Sequence, residues 1–216
     1  SEIKIIEVNN MNKEVVIKIV EAGLRSKTGI IGNGVLYDLC KKYFYHDNPD
    51  AINAKIWLIG RSYAAAIERR KKYRNDPNDD FYEKRVIPII MKSEIDQKLS
   101  AIRKYRSVTK DNILDILKVH KYLLDTFEKI SGLKKRSLSS KYLHFHLRQL
   151  FFIYDSRANN ALKMISNSPA KEFDSIINNF GVDKEYANFF CRSYEKLSDL
   201  EQRLGRHINT RQFDNI

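Results

Sequence analysis

Residues 130–141 read ISGLKKRSLSSK and combine a glycine, three consecutive cations and several hydroxyl side chains. The stretch joins two segments with helical periodicity, so its glycine predicts a tight turn between two helices. The unpaired N–H groups at the start of the second helix would point at an anion such as a phosphate. Such a contact would hold nucleic acid without reading its sequence. The residues of this predicted contact are Gly132, Lys134, Lys135, Arg136, Ser137 and Ser139. The alternative is a solvated basic turn that has no partner.

The overall charge favours the first interpretation. The chain has 216 residues, with 39 Lys and Arg against 27 Asp and Glu, which gives a formal net charge of +12. A surplus of this size indicates a polyanionic partner, most often nucleic acid. Cys40 and Cys191 are far apart and form no C-x-x-C motif, so we expect reduced thiols in the cytoplasm and neither zinc nor an iron–sulfur cluster. No apolar run approaches membrane-spanning length, so we expect no membrane association.

The elements that must position these residues are helices. Apolar residues recur at helical spacing along the chain, and no alternating strand pattern of any length occurs. Asp50 and Thr109 are candidate N-caps, Pro169 would start a helix after Ser168, and Gly205 would end one. The predicted fold class is all-α, with helices over 12–23, 34–44, 50–73, 82–91, 93–105, 109–130, 137–147, 156–166, 168–180 and 182–204 and a loop over 75–80.

A resemblance to a known family joins these features. ISGLKKRSLSSKYL resembles the helix-hairpin-helix motif of DNA glycosylases, whose pattern is Leu-Pro-Gly-Val-Gly-x-Lys-Thr-Ala. The positions that match in type are Ile130, Gly132, Leu133, Arg136 and Ser137. Ser131 replaces the proline of the pattern, and Lys134 replaces its second glycine.

The following residues extend the resemblance. In that superfamily the hairpin helix is followed by a short apolar extended piece and an essential aspartate at the head of the next helix. RQLFFIYDSRANNAL resembles this arrangement, with an apolar piece followed by Asp155 at the aspartate position. Asp155 lies nineteen residues after Arg136. SSKYLHFH and FFIYDSRA are also similar to bacterial proteins with an 8-oxoguanine-glycosylase-like fold.

The resemblance implies one domain over 1–216, a two-lobed helical bundle. Its hairpin would lie at about 109–150 and its catalytic aspartate segment at 151–166. It also implies a monomeric DNA glycosylase that needs no cofactor and acts on double-stranded DNA. Such an enzyme flips a damaged or modified base out of the duplex before it cleaves the glycosidic bond. We expect it in the cytoplasm with the nucleoid, in repair of the cell's own DNA or against modified phage DNA.

The resemblance assigns the chemistry to Asp155. A carboxylate that faces the sugar would stabilise its developing positive charge and orient the attacking water. The other interpretation is that Asp155 only caps the helix SRANNALKMI, and both roles are compatible.

Bifunctional members also use a lysine that attacks the sugar, and at that position this chain has Arg136. Arginine cannot be deprotonated for such an attack. Lys141 is the nearby substitute, but five helical positions turn it by about 140° from Arg136. It would then face elsewhere, as a phosphate contact or a solvated lysine. We therefore expect a monofunctional glycosylase and leave lyase activity open.

Four further residues are candidates for the substrate pocket. Arg61 and Tyr63 interrupt an apolar face beside Gly60, and a buried arginine there would need an anionic partner. His144 and His146 alternate on one helix, which is poor geometry for a shared metal, so we expect no metal site. One of these histidines would pack in the core and the other would line a groove.

An alternative from another class is a non-catalytic helix-hairpin-helix DNA-binding protein. The lysine in place of the second glycine and the arginine at the lysine position both favour it. A third interpretation is an RNA-binding or interaction protein that uses the basic face and prefers single-stranded RNA.

Overall fold

The computed structural model describes residues 30–69, 80–166, 168–208 and 210–213 of the chain. Regular structure in these ranges is helical and includes no strand, so the all-α prediction is confirmed. The α-helices are α1 (Ile30–Lys42), α2 (Pro49–Ser62), α3 (Ile87–Met91), α4 (Ile95–Ile102), α5 (Ile113–Ser131), α6 (Arg136–His146), α7 (Ser156–Ile165), α8 (Asp174–Ile177), α9 (Lys184–Leu204) and α10 (Thr210–Phe213). A π-helical turn (Tyr82–Val86) precedes α3, and a 3-10 turn (Lys171–Phe173) precedes α8. No helix in the ranges given above is both long enough and apolar enough to cross a membrane.

Helix α6 lies at the centre of the packing. It contacts α1, α2 and α5, while α5 also packs against α3 and α4. The long helix α9 contacts α7 and α8. Most of α6 is buried, so its side chains are fixed by neighbours on several sides. The sequence around α6 is therefore where side chains from distant segments can meet.

The helix predicted over 50–73 ends at Ser62. Beyond it Ala64 has a left-handed φ of 51°, and the Ala65 N–H donates to the Gly60 carbonyl at 2.8 Å. The chain turns back because Gly60 has no side chain: a Cβ there would lie 3.2 Å from the Ala66 Cα. Residues 63–69 consequently pack against α2 instead of extending it.

The segment predicted as a helix over 82–91 is helical but changes type. The Ile87 N–H donates to the Tyr82 carbonyl, five residues earlier, in a π-helical turn. Pro88 follows directly and has no N–H for an ordinary helical bond. The wider turn accommodates the proline, and α3 begins beside it.

Two predicted helix starts were misplaced. Asn48, not Asp50, caps α2: its Oδ1 accepts from the Ala51 N–H at 2.9 Å, with Pro49 as the first helical residue. Helix α5 starts at Ile113 after Asn112, whose Oδ1 accepts from the Thr109 N–H at 2.9 Å. Asn48 thus satisfies the N–H that the sequence pattern assigned to Asp50, whereas Asn112 holds the turn before α5 and no side chain caps that helix.

The helix predicted over 168–180 is only the short 3-10 turn and α8. The predicted N-terminus at Pro169 is absent because the chain stays irregular there, and the Ala170 N–H donates to Glu195 of α9 at 2.9 Å. Gly205 ends α9 in the left-handed conformation, as predicted. The helix predicted over 12–23 and most of the loop over 75–80 lie outside the described residues.

Candidate active site

The turn between α5 and α6 has the geometry that its glycine predicts. Gly132 ends α5 in the left-handed region with a φ of 71°, and its N–H donates to the Glu128 carbonyl at 2.7 Å. Helix α6 then starts after Lys135, and no side chain caps it. The first N–H groups of α6 are therefore available to an anion at this end of the helix.

Lys141 is buried on α6, with 3% of its side chain exposed. Its ammonium donates to the Ser137 Oγ at 2.6 Å and to the Tyr154 carbonyl at 3.3 Å. Its Nζ also lies 5.5 Å from the centre of the Tyr63 ring. The prediction of a solvated lysine is thus wrong, because burial by neighbouring segments directs the side chain inward.

Asp155 meets Lys141 at the start of α7. Its Oδ1 accepts from the Ala158 N–H at 2.8 Å and so caps the helix, as the sequence predicts. Its Oδ2 lies 4.0 Å from the Lys141 Nζ, while 45% of the side chain stays exposed. One carboxylate therefore has a structural oxygen and a second oxygen that faces both the lysine and solvent.

The extended segment 151–155 carries Asp155 and is held by side chains. Ser140 accepts from the Tyr154 N–H at 3.0 Å, and His144 Nδ1 donates to the Phe151 carbonyl at 2.7 Å. The Tyr186 hydroxyl donates to the Phe152 carbonyl at 2.9 Å. Polar side chains of α6 and α9 thus replace the strand partner that an extended segment would otherwise need.

Tyr63 places an aromatic face beside this pair. It is partly buried, and its hydroxyl donates to the Asn33 Oδ1 at 2.6 Å, which ties the segment after α2 to α1. The ring also packs against Phe145 of α6, with 5.7 Å between ring centres. Of the four weak pocket candidates, Tyr63 is the one that the structure brings to the Lys141–Asp155 pair.

Arg61 lies apart from this site. Its side chain is 59% exposed and pairs with the Glu68 Oε1 at 3.0 Å. It also lies over the Trp57 ring, 5.7 Å from the ring centre. Arg61 therefore has an anionic partner, Glu68, but it is exposed and not buried as the sequence analysis considered.

The two histidines of α6 serve the core. His144 Nε2 accepts from the Tyr37 hydroxyl at 2.7 Å, since its Nδ1 already donates to Phe151. His146 Nδ1 donates to the Tyr142 carbonyl at 2.8 Å, and its Nε2 lies 3.3 Å from the Lys55 ammonium. Burial, aided by the charge of Lys55, lowers the pKa of His146 well below its usual value. The residues have separate partners, and neither contacts the Lys141–Asp155 pair through these bonds.

The cations of the turn differ in availability. Lys134 is exposed, whereas the Lys135 ammonium donates to the carbonyls of Ala66, at 2.9 Å, and Arg69. Burial lowers the pKa of Lys135 to about 8. Lys134 is thus the turn cation most open to a phosphate, and Lys135 anchors the segment after α2.

Arg136 is largely buried and joins α6 to the start of α9. Its guanidinium pairs with both oxygens of Asp183, at 2.5 and 2.9 Å, and with Glu185 at 2.8 Å. Burial would raise the pKa of Asp183, but hydrogen bonds from Arg136 and the Tyr186 N–H lower it instead. Two carboxylates therefore neutralise the charge that the sequence assigned to phosphate.

The serines of the turn also have internal partners. Ser137 accepts from Lys141, and Ser139 is buried and donates to the Lys135 carbonyl at 3.0 Å. Because Ser139 is buried in the protein, it cannot contact a phosphate outside the turn, and that part of the prediction is wrong. Gly132 is exposed and stays compatible with a close phosphate approach.

Sequence reasoning missed Ser140, which is fully buried and fixes Tyr154. The run of serines at the start of a helix was the available signal. Serine is a mediocre helix former, and a buried one in a helix needs a hydrogen-bond partner. That signal points to a contact, but it does not name Tyr154 as the partner.

A buried polar chain lies elsewhere against α6. The His46 Nδ1 donates to the Asp96 Oδ1 at 2.5 Å, and its Nε2 accepts from the Tyr142 hydroxyl at 2.7 Å. Burial lowers the pKa of His46, although the hydrogen bond with Asp96 opposes this effect. These bonds connect residues 50 and 96 positions apart and fix α6 relative to α4.

The residue types present determine what the site can do. A partly exposed carboxylate can stabilise a positive charge and orient water, and a buried amine beside it can become a nucleophile once it loses a proton. Across the described ranges, no group of three or more His, Cys, Asp or Glu side chains is arranged to hold a metal. No family model, curated protein or solved structure matches the chain.

Proposed function

We propose that this protein is a DNA glycosylase that excises a damaged or modified base from duplex DNA. The observation that carries the proposal is the approach of the buried Lys141 ammonium to the half-exposed Asp155 carboxylate, at 4.0 Å. The two residues come from different segments, and hydrogen bonds to Tyr154 and Ala158 fix their positions.

The proposed DNA contact is the α5–α6 turn, taken as a helix-hairpin-helix motif. Gly132 allows a phosphate to approach the uncapped start of α6, and Lys134 adds a positive charge. The net charge of +12 supports attraction to the duplex. Arg136 has a structural part in this proposal, because Asp183 and Glu185 occupy its guanidinium.

The proposed chemistry is centred on Asp155. A flipped nucleotide would place its sugar near the Oδ2 atom, where the carboxylate stabilises the positive charge that develops as the glycosidic bond breaks. Tyr63 offers an aromatic ring to the nucleotide beside Lys141. Water held by the carboxylate then attacks the sugar carbon, which gives a monofunctional enzyme.

Lys141 supplies a second route that sequence spacing alone did not favour. Its amine is beside Asp155, and after loss of a proton it can attack the anomeric carbon of the sugar as the glycosidic bond breaks and the base leaves. Opening of the sugar ring then gives a Schiff base. Arg136 cannot do so because it stays protonated. The two routes differ in one observable: only the lysine route leaves an adduct that borohydride traps.

The test is base release from duplexes that carry oxidised, alkylated, deaminated or hypermodified bases. We expect alkali-dependent strand breaks with the wild-type protein and at least a hundredfold lower rate with Asp155→Asn, in line with the usual contribution of a catalytic acid or base. Asparagine caps helices as well as aspartate does, so this variant keeps α7 intact. Asp50→Asn, which changes an exposed carboxylate in the first turn of α2, is the matched control and should keep full activity.

Lys141→Gln separates the two routes. A borohydride adduct that is present in the wild type and absent in this variant assigns the attack to Lys141. Release of free base without an adduct assigns it to water. Equal base release by Asp155→Asn and wild type would contradict the proposal. Tight duplex binding with no base release from any duplex would instead favour the non-catalytic DNA-binding protein.

A further inference from the structure

A second basic surface lies away from the candidate active site, in a groove between α4 and α5. The groove has a volume of about 470 Å³. Four lysines line it, namely Lys98, Lys104, Lys118 and Lys121. The lining acids are Asp115 and Asp125, so positive charge predominates. We call this surface the α4–α5 groove.

Both acids of the groove already have partners. Asp125 pairs with Lys121 at 2.5 Å, and Asp115 accepts from the Tyr105 hydroxyl at 2.7 Å. Lys98 forms an exposed ion pair with Glu94 at 3.4 Å, which solvent makes weak. The Tyr105 hydroxyl leaves the charge of Asp115 in place, so the four lysines exceed Asp115, Asp125 and Glu94 by one positive charge. Lys104 and Lys118 form no ion pair among the described residues and are the cations most open to an anionic ligand.

Two tyrosine rings alternate with these lysines. The Lys98 Nζ lies 4.7 Å from the centre of the Tyr122 ring, and the Lys104 Nζ lies 5.4 Å from the centre of the Tyr105 ring. The Tyr122 hydroxyl accepts from the Glu94 N–H at 2.7 Å, while Tyr105 is held by Asp115. Both rings are thus fixed at their hydroxyl ends and have cations at their faces.

A third aromatic residue stands at the edge of the groove. Phe180 is 98% exposed, although burial of such a side chain normally stabilises a fold. Its neighbour Gly181 lines the groove, and a Cβ at Gly181 would lie 3.7 Å from the Lys118 side chain. The Phe180 ring therefore projects into solvent from the position next to a residue that lines the groove.

The turn that presents Phe180 is well organised. The Asn179 Oδ1 accepts from the Gly181 N–H at 2.8 Å, and the Val182 N–H donates to the Asn179 carbonyl at 3.2 Å. The Lys184 ammonium donates to the Asn178 Oδ1 at 2.8 Å. Phe180 is consequently held out from the fold on a hydrogen-bonded turn.

We propose that the α4–α5 groove binds single-stranded nucleic acid. Lysines that follow a groove contact the phosphates of such a strand, and an exposed aromatic ring such as Phe180 can stack on one of its bases. An acidic peptide would use the lysines alone and give Phe180 no role. A duplex keeps its bases stacked inside and offers nothing to an exposed ring. This site does not depend on Lys141 or Asp155.

The test is fluorescence anisotropy with a labelled twelve-residue thymidine oligonucleotide at several salt concentrations. Phe180→Ala should weaken binding about tenfold, since one stacked base is lost. Met164→Ala, at an exposed methionine of α7, is the matched control and should leave binding unchanged.

A second pair of variants tests the charges. The double variant Lys104→Gln/Lys118→Gln should reduce the dependence of log K on log salt by about 1.4, because two phosphate contacts are lost. Lys163→Gln/Lys196→Gln removes the same charge from a different surface, between α7 and α9, and should have a much smaller effect. All variants should keep the wild-type circular dichroism spectrum.

Three outcomes would overturn the inference: equal oligonucleotide affinity for Phe180→Ala and wild type, equal salt dependence for both double variants, or equal competition by a glutamate peptide of the same length. Either of the first two outcomes would show that the oligonucleotide does not bind in the α4–α5 groove. The third would show that the groove binds an acidic peptide equally well. The oligonucleotide contains no damaged base, so Asp155→Asn should bind it normally. Failure of this proposal is therefore distinguishable from failure of the proposed glycosylase activity.

Discussion

The ammonium of Lys141 lies among oxygen atoms from two segments, the Ser137 hydroxyl of α6 and the Tyr154 carbonyl. Five helical positions separate Lys141 from Arg136, and they place the two side chains about 140° apart around α6. The inference that it therefore faces away from the site was wrong because Arg136 itself faces Asp183 at the start of α9. A residue on the opposite side of α6 is then the one that faces Asp155.

His120 gives a prediction about acid stability. The ring is fully buried and stacks on Tyr186 with 3.6 Å between ring centres, and burial lowers its pKa to about 3. Neither ring nitrogen has a hydrogen-bond partner among the described residues. Between pH 6.5 and pH 3, His120 is therefore protonated in the unfolded chain but neutral in the folded protein. The free energy of unfolding consequently falls as the pH drops from 6.5 towards 3.

His120→Phe should remove this effect. We expect a free energy of unfolding similar to wild type at pH 7 and about 2 kcal/mol higher than wild type at pH 5. Phenylalanine keeps the stack on Tyr186 and leaves no polar atom unpaired. Urea unfolding at both pH values measures the difference. A variant with the same pH dependence as wild type would show that His120 is protonated within the fold.

At the scale of elements, the left-handed end of α5 gives the next prediction. Gly132→Ala should lower the free energy of unfolding by about 1 kcal/mol, because a Cβ disfavours a φ of 71°. It should also weaken duplex binding, since the turn before α6 shifts. Binding is measured by anisotropy with a labelled duplex, and stability by urea unfolding.

Gly205→Ala is the matched control for this variant. Gly205 ends α9 at a φ of 66°, and a Cβ there would meet no atom within 4 Å. The two substitutions should cost similar stability, but only Gly132→Ala should change DNA binding. Equal losses of binding in both variants would mean that general destabilisation causes the effect.

Elements formed by local patterns were predicted better than those that depend on distant contacts. The α5–α6 turn, the Asp155 cap and the Gly205 terminus are local, and each agrees with the sequence analysis. Helix α2 ends early because the chain folds back and Ala66 packs on Gly60. The spacing of apolar residues along the sequence does not predict such a reversal. The bonds from Tyr142 and Asp96 to His46 cross 96 and 50 residues, so no sequence window contains them.

For the whole molecule, Arg136 matters as the connection between the α5–α6 turn and α9. Arg136→Met should lower the free energy of unfolding by about 3 kcal/mol, because it leaves the buried Asp183 carboxylate unpaired. The pKa of Asp183 would rise, so part of the loss should be recovered at acidic pH. Urea unfolding at pH 7 and pH 4 tests both statements.

Arg61→Met is the comparison for a more exposed ion pair. Arg61 is 59% exposed and its partner Glu68 is 17% exposed, so solvent screens this pair more than the Arg136–Asp183 pair, and we expect a smaller loss, of about 1 kcal/mol. If Arg136→Met and Arg61→Met were equally stable, the Arg136–Asp183 pair would contribute no more to the stability of the fold than the Arg61–Glu68 pair.

The bond between Lys141 and the Tyr154 carbonyl has a consequence for motion during binding. The Lys141 ammonium donates to the carbonyl of Tyr154, the residue directly before Asp155. The same lysine therefore contacts both the backbone and the side chain of two consecutive residues. Lys141 itself belongs to α6, and the bonds from Ser140 and His144 hold the 151–155 segment against that helix. The distance between the two charges should therefore change little when a ligand binds, because both sides of the site are attached to the same helix.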